Sequence, residues 1–215
     1  MNSPKVSICS QVLNNSDSLK AMIASVIAQT FKEWELVIVD DASTEDLKAV
    51  VDGFADERIR LIRLEANVGV PKGVNMAMKE AKGEYIGVLA SDEFITPEKL
   101  AIQVEYMDAN AGVDCVWGLP GKGEFGLRPL WEQSMLRAHN RSNEAWVRDL
   151  LALQAPIGGA SLLMRRGVME ELGYMDENLT VFSDHELYCR FFKKYTGVVL
   201  PYRWADEIKT AEKTQ

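Results

Sequence analysis

Two adjacent carboxylates, Asp92 and Glu93, follow Ser91 at the end of the apolar run Tyr85-Ile86-Gly87-Val88-Leu89-Ala90. Neighbouring acids repel, so a fold that keeps them side by side usually gives them a cation or a donor-rich ligand. Mn2+ or Mg2+ can be held by one or two carboxylates when substrate phosphates supply the remaining ligands. Asp92 and Glu93 suit that task on a nucleoside diphosphate. They suit equally well a plain turn ahead of the helix expected from Pro97.

A second acidic pair, Asp40 and Asp41, closes the run Glu35-Leu36-Val37-Ile38-Val39. It offers acceptors to a nucleobase imide or a ribose hydroxyl, while Asp41, Ala42 and Ser43 can also serve only to cap the next helix. Ser183-Asp184-His185-Glu186 has the spacing of a capping box, with Ser183 at the N-cap and Glu186 three residues on. That places Asp184 in a first helical turn, where the macrodipole favours its ionised form, and an ionised carboxylate facing a crevice can act as a general base. The segment Asn67-Val68-Gly69-Val70-Pro71-Lys72-Gly73 is glycine-rich but matches neither a P-loop nor a dinucleotide fingerprint. Lys72 within it can reach a phosphate or simply be solvated.

The elements that must position these residues alternate along the chain. Val6–Cys9, Glu35–Val39, Ile59–Leu64, Glu84–Leu89 and Asp114–Trp117 read as strands. Between them, Leu19, Met22, Ile23, Val26 and Ile27 recur at helical spacing. Helices are also expected over Thr44–Phe54, Pro71–Ala81 and Pro97–Met107, the last with Pro97 at a first helical position. Strand–helix alternation with short connections predicts an α/β fold with a mostly parallel central sheet and helices on both faces. Ligands of such sheets sit beyond the carboxyl ends of the strands, where both acidic pairs fall. After Gly118 the periodicity breaks. Pro120–Asn143 reads as a long loop over the crevice, whose Phe125, Arg128 and Trp131 can stack on or hydrogen-bond a sugar or equally pack as a lid or a dimer contact. Glu144–Leu153 is expected helical, Gly158–Met164 a strand, Arg165–Leu172 and Ser183–Tyr195 helices, and Lys209–Gln215 a frayed end.

With 215 residues, 47% hydrophobic and 26% charged, the chain fits one compact domain over 1–215. Its net charge of -8 argues against nucleic acid as a partner. Cys9, Cys115 and Cys189 lie far apart and read as reduced core residues of a cytosolic protein. The two histidines, His139 and His185, cannot build a multi-histidine metal site. Met1–Lys5 is too short and polar to begin a signal peptide, and no apolar run reaches membrane-spanning length.

Taken in order, these segments resemble glycosyltransferase family 2, the inverting nucleotide-sugar transferases of the GT-A fold. The resemblance runs through Val6-Ser7-Ile8, Ser25–Thr30, Glu35–Ser43, Asn67-Val68-Gly69 with Asn75, and Ala81–Glu93. It continues through Arg165–Val168, Gly173–Glu177 and Asp184 with Leu187 and Arg190, to about Tyr195. It implies a nucleotide-binding half, 1–117, and an acceptor-side half, 118–208. Asp40 or Asp41 would contact the base, and the backbone near Gln11 and Val12 would line its pocket. Asn67, Gly69, Lys72, Asn75 and Ser91 would complete the nucleotide site. Asp92, aided by Glu93, would hold the divalent cation on the diphosphate, and Asp184 would deprotonate the acceptor hydroxyl.

The implied partners are a nucleotide-sugar donor, UDP-linked first, and a hydroxyl acceptor that is a saccharide or lipid-linked saccharide. The implied setting is the cytoplasm, at the inner face of the membrane for a lipid-linked acceptor. The chain departs from the family pattern at Ala90, which replaces the first acid of the Asp-x-Asp motif, and at Ser183, where an acid often precedes the base. Membrane-anchoring or acceptor-binding extensions of larger relatives are not expected in a C-terminal part this short. Ala90 leaves open a second reading, a nucleotide-sugar-binding module with little turnover. A sugar nucleotidyltransferase is a weaker third, because no Gly-rich segment with a following Arg and Lys stands near the N-terminus.

Overall fold

A computed structural model describes residues 3–119, 142–152 and 159–207. Its nine strands are β1 (Val6–Val12), β2 (Trp34–Asp40), β3 (Ile59–Arg63), β4 (Tyr85–Val88), β5 (Glu93–Ile95), β6 (Cys115–Leu119), β7 (Leu163–Arg165), β8 (Gly197–Arg203) and β9 (Ala205–Glu207). Its helices are α1 (Ser16–Ile27), α2 (Leu47–Asp52), α3 (Val70–Lys79), α4 (Lys99–Ala109), α5 (Asn143–Leu151), α6 (Arg166–Leu172) and α7 (Ser183–Phe191), with a 3-10 turn at Gly159–Ser161. Seven strands form one sheet in the order β3-β2-β1-β4-β7-β6-β8, and β5 pairs with β9 in a separate antiparallel ribbon.

β1 and β2 sit mid-sheet, and every residue of β2 is buried. Because successive side chains point to opposite faces, one sequence feeds two cores. Ile8, Leu36 and Ile38 pack with α1 and α4 on one face. Cys9, Val37 and Val39 pack with α3, α5, α6 and α7 on the other. That is the expected α/β sheet with helices on both faces. Pairing is parallel for β1–β2, β1–β4, β2–β3 and β6–β8. It is antiparallel where β7 inserts between β4 and β6.

On the second face an aromatic cluster fixes α7. Trp117 stacks on Phe192 at 5.4 Å between ring centres, and Trp146 stacks on Phe192 at 4.9 Å. Trp117 meets Tyr188 and Phe191 edge-on at 5.9 and 5.5 Å. Such pairs add about 0.5–1.5 kcal/mol each beyond their buried area. Gly197 at the start of β8 is required by this cluster, since a Cβ there would lie 2.2 Å from the Trp117 ring.

Several local expectations are corrected. Asp46, rather than Asp41 or Ser43, caps α2, its carboxylate accepting from Ala49 N–H at 3.1 Å. α4 begins at Lys99, not Pro97, because the Pro97 carbonyl instead accepts from Thr30 N–H at 2.8 Å. The segment expected as a strand over 158–164 divides into the 3-10 turn and β7. β5, β8 and β9 were not expected. The expected loop with Phe125, Arg128 and Trp131, together with His139 and the 209–215 tail, lies outside the described residues. No helix among the described residues is long and apolar enough to cross a membrane.

Candidate functional site

A cavity of about 560 Å3 opens beyond the carboxyl ends of β1, β2 and β4 and is closed on its far side by α7 and the 3-10 turn. Of the residues expected at a site, Gln11, Asp41, Asn67, Gly69, Ser91, Asp92, Glu93 and Asp184 line it. Asp41, the Asp92–Glu93 pair and the helix-start Asp184 therefore border one space. Val12, Asp40, Lys72 and Asn75 do not line it.

Lys72 is exposed on the first turn of α3, and for the other three the reasons lie in their surroundings. Val12 is fully buried in the core. The Asp40 carboxylate is also fully buried and accepts from Ser43 N–H at 2.9 Å and from Arg63 at 2.8 Å, an Asx turn closed by an ion pair. Asn75 is buried on α3, where its side chain exchanges hydrogen bonds with the Met175 backbone and donates to Glu177 at 3.1 Å. That bond, before all else, holds the Glu177 carboxyl below its ordinary range. Asn75 thus fastens a cavity-lining loop to α3, and Met175 in that loop lines the cavity.

Asp41 lines the cavity but is 0% exposed, and its carboxylate is heavily engaged. It accepts from Val68 N–H at 2.7 Å, Gly69 N–H at 3.1 Å and Gln11 Nε2 at 3.0 Å. Its evident work is to pin the 67–69 turn against β1. Gly69 has φ +84°, in the left-handed region that glycine enters at little cost. Gly73 lets α3 approach this corner, for a Cβ there would lie 2.6 Å from the Gln11 side chain.

The other acidic pair stands on the turn into β5. Glu93 Oε2 accepts from Ala90 N–H at 3.1 Å, closing the turn over the position where the acid is replaced. α1 holds the segment that follows. Ser25 Oγ accepts from Ile95 N–H at 3.2 Å, and the buried Gln29 donates to Thr96 O at 2.7 Å and accepts from Leu100 N–H at 3.1 Å. β9 pairs along its other edge. Among the described residues no group of three or more His, Cys, Asp or Glu side chains converges as a metal cage. Two neighbouring carboxylates on a cavity wall fit a hard cation that takes most of its ligands from a diphosphate and water.

Asp184 lies in the first turn of α7, with its side chain 41% exposed. Its Oδ1 accepts from His185 N–H at 2.8 Å and lies 3.3 Å from His185 Nδ1. The expected capping box does not form. Phe182, at φ +62°, is the residue before the helix, and Glu186 is drawn instead into a bidentate pair with Arg190 at 2.6 Å. Phe182 stands edge-on to His185 at 5.5 Å. A bulky residue in the left-handed region costs about 1–3 kcal/mol, and here it immediately precedes the helix that carries Asp184.

Sequence reasoning missed Tyr188, Met175 and the turn carrying Gly159, Ala160 and Leu162, all cavity residues. Tyr188 was findable, being four residues after Asp184 and so on the same helix face. The turn is held from behind by α4, where Gln103 Nε2 donates to Ser161 O at 2.8 Å and Lys99 Nζ to Leu162 O at 3.4 Å. Burial pulls Lys99 down to about 7, against the opposing pull of Cys115 and Glu93.

Residues 7–173 match the family described as Glycosyl transferase family 2. The chain is 32% identical over 201 residues to the putative glycosyltransferase EpsE of Bacillus subtilis (strain 168), covering 90% of this chain and 69% of that protein. It superposes on S. aureus TarS 1-349, solved in complex with UDP, with a TM-score of 0.77 at 19% identity, covering 97% of this chain and 61% of that one. The mannosyltransferase PcManGT from Pyrobaculum calidifontis, solved with GDP-Man and Mn2+, gives a TM-score of 0.71 at 17% identity, covering 94% and 56%. The last two likenesses are of fold.

Proposed function

The chain belongs to glycosyl transferase family 2, and on that premise we propose that it transfers a sugar from a nucleoside diphosphate to a hydroxyl acceptor, inverting the anomeric centre. The observation that carries this reading is that Asp184 and the Asp92–Glu93 pair line the same cavity as Gln11, Asn67 and Gly69. Residues 1–117 hold the donor, and 118–208 shape the acceptor side. UDP is the first choice of nucleotide, which the UDP complex of the TarS fold supports. The base and ribose enter at the Gln11, Asn67 and Gly69 corner. Asp41 positions that corner, and the diphosphate points toward Ser91, Asp92 and Glu93.

In the transfer, the Asp184 carboxylate takes the proton of the acceptor hydroxyl. The freed oxygen pair bonds to the anomeric carbon from the face opposite the diphosphate. The carbon–oxygen bond to phosphate breaks, and its electron pair leaves on the diphosphate. Asp92 and Glu93 would hold a divalent cation, Mn2+ or Mg2+, which when bound neutralises charge on the departing group. The acceptor is a saccharide or lipid-linked saccharide, met in the cytoplasm or at the inner membrane face. Ala90 favours a second reading, a donor-binding module with weak turnover.

Calorimetry with UDP, GDP and their sugar conjugates, with and without Mn2+, tests the donor site, and absence of binding by all of them ends both readings. Transfer or slow donor hydrolysis that is lost in Asp184→Asn, with binding kept, distinguishes the enzyme from the module.

A further inference from the structure

Tyr188 is 2% exposed and lines the cavity, and its hydroxyl forms no hydrogen bond with any described residue. The hydroxyl lies beside Gly159, where a Cβ would stand 4.0 Å away. The ring is fully accounted for by packing, edge-on to Trp117 at 5.9 Å. Phenylalanine would supply that packing without a polar atom to satisfy. A buried hydroxyl left without a partner is costly, and one aimed into a cavity calls for a partner that enters it.

Burial first, then the neighbouring Asp184, Cys115 and Glu93, push this phenol well above its ordinary range. It therefore keeps its proton and acts as a hydrogen-bond donor. Asp184 lies one helical turn before it, and Glu93 stands at the diphosphate end of the cavity. In an inverting transfer the anomeric carbon lies between the base and the leaving diphosphate. The Tyr188 hydroxyl stands by Gly159 on the α7 side of the cavity, with Asp184 and Glu93 on the same wall and Gln11, Asn67 and Gly69 at the other corner, so it faces the sugar rather than the base.

We propose that Tyr188 is a substrate-contacting residue whose hydroxyl donates a hydrogen bond to an oxygen of the transferred sugar, selecting and orienting it. This rests on the donor reading given above and adds to it the group that grips the sugar.

The test compares the unaltered chain with Tyr188→Phe in calorimetry with Mn2+, using UDP-glucose, UDP-GlcNAc and GDP-mannose as probes, and UDP and GDP as sugar-free controls. For the sugar nucleotide that binds best, Kd is expected to rise about fivefold to tenfold in the variant, the weight of one neutral hydrogen bond. Kd for the bare diphosphate stays within about twofold, and the thermal midpoint holds or rises, because an unpartnered buried group has been removed. Equal shifts for sugar nucleotide and bare diphosphate, or no shift in either, overturn the assignment. If no probe binds the unaltered chain, the donor reading itself falls, so the two failures are told apart.

Discussion

Asn75 and Met175, one hundred residues apart, are joined by a reciprocal pair of hydrogen bonds, Asn75 Nδ2 donating to Met175 O at 2.9 Å and Met175 N–H to Asn75 Oδ1 at 3.0 Å. The pair ties α3, beside the proposed nucleotide corner, to the loop leading toward Asp184. Asn75→Ala is expected to cost about 2–3 kcal/mol of folding stability, because it strands polar groups in a buried site. Urea unfolding measures this. Asn75→Asp should be no milder, since it trades the amide donor for a charge facing Glu177. A loss under about 0.5 kcal/mol would show that the staple carries no load.

Asp184→Asn keeps an oxygen able to accept from His185 N–H but removes the basic site. Transfer should fall at least about a hundredfold, the lower end of what a general base contributes. Affinity for the nucleoside diphosphate should stay within about twofold, since the change removes a proton acceptor rather than a nucleotide contact. Initial rates and calorimetry on the same preparation decide it, and an undiminished rate would remove Asp184 from the mechanism.

Asp41→Asn places an amide donor against Gln11, Val68 and Gly69, all of them donors to the native carboxylate. The expected loss is about 2 kcal/mol of stability. Amide exchange at Val68 and Gly69 should quicken, and nucleotide binding should weaken with it. Unchanged exchange at those two amides would contradict the role assigned to this acid.

Lys99 gives the stability a pH signature of known sign. Burial disfavours its charged form in the fold, so between about 7 and the ordinary lysine range the unfolded chain holds a proton that the folded chain lacks. Its contribution improves as pH rises through that window, and the penalty is complete below it. Lys99→Met should therefore stabilise the protein by about 2–4 kcal/mol at pH 6 and much less at pH 10. Denaturation of both proteins at pH 6, 8 and 10 checks the difference, and a gap independent of pH would refute it.

The proposed cation site at Asp92 makes a paired prediction. Asp92→Ala should abolish any gain in UDP affinity from Mn2+, and Ala90→Asp should enlarge that gain several-fold by adding carboxylate charge to the site. Titration of UDP at fixed Mn2+ separates them. Equal Mn2+ dependence in all three proteins would remove the cation from this corner.

Much of this arrangement was legible in the sequence because it is written in local periodicity. Leu36–Val39 is an unbroken apolar run inside β2, Val6-Ser7-Ile8-Cys9 is a short strand signal for β1, and Leu19, Met22, Ile23 and Val26 mark the buried stripe of α1. What escaped depends on distant partners. β8 contains Pro201, which argues against a central strand, and it is tolerated because β8 lies at the sheet edge. β7 is antiparallel only by virtue of where it inserts. Ser183 and Glu186 have capping-box spacing, yet Arg190 on the next turn captures Glu186. Asp40 and Asp41 stood out correctly as strand-end acids. That both would be saturated by Arg63, Ser43 and the 67–69 turn follows from loop paths that no spacing rule encodes.

The ribbon of β5 and β9 has a consequence for biosynthesis. The wall bearing Asp92 and Glu93 is built early in translation, but its outer edge is supplied by residues 205–207, which leave the ribosome after every strand of the main sheet. Vectorial folding can thus shape the Gln11–Gly69 corner well before the acidic rim is buttressed. A chain ended near residue 200 would lose that buttress together with half of β8 and the buried Trp204, so the acidic rim and the far sheet edge would fail as one unit.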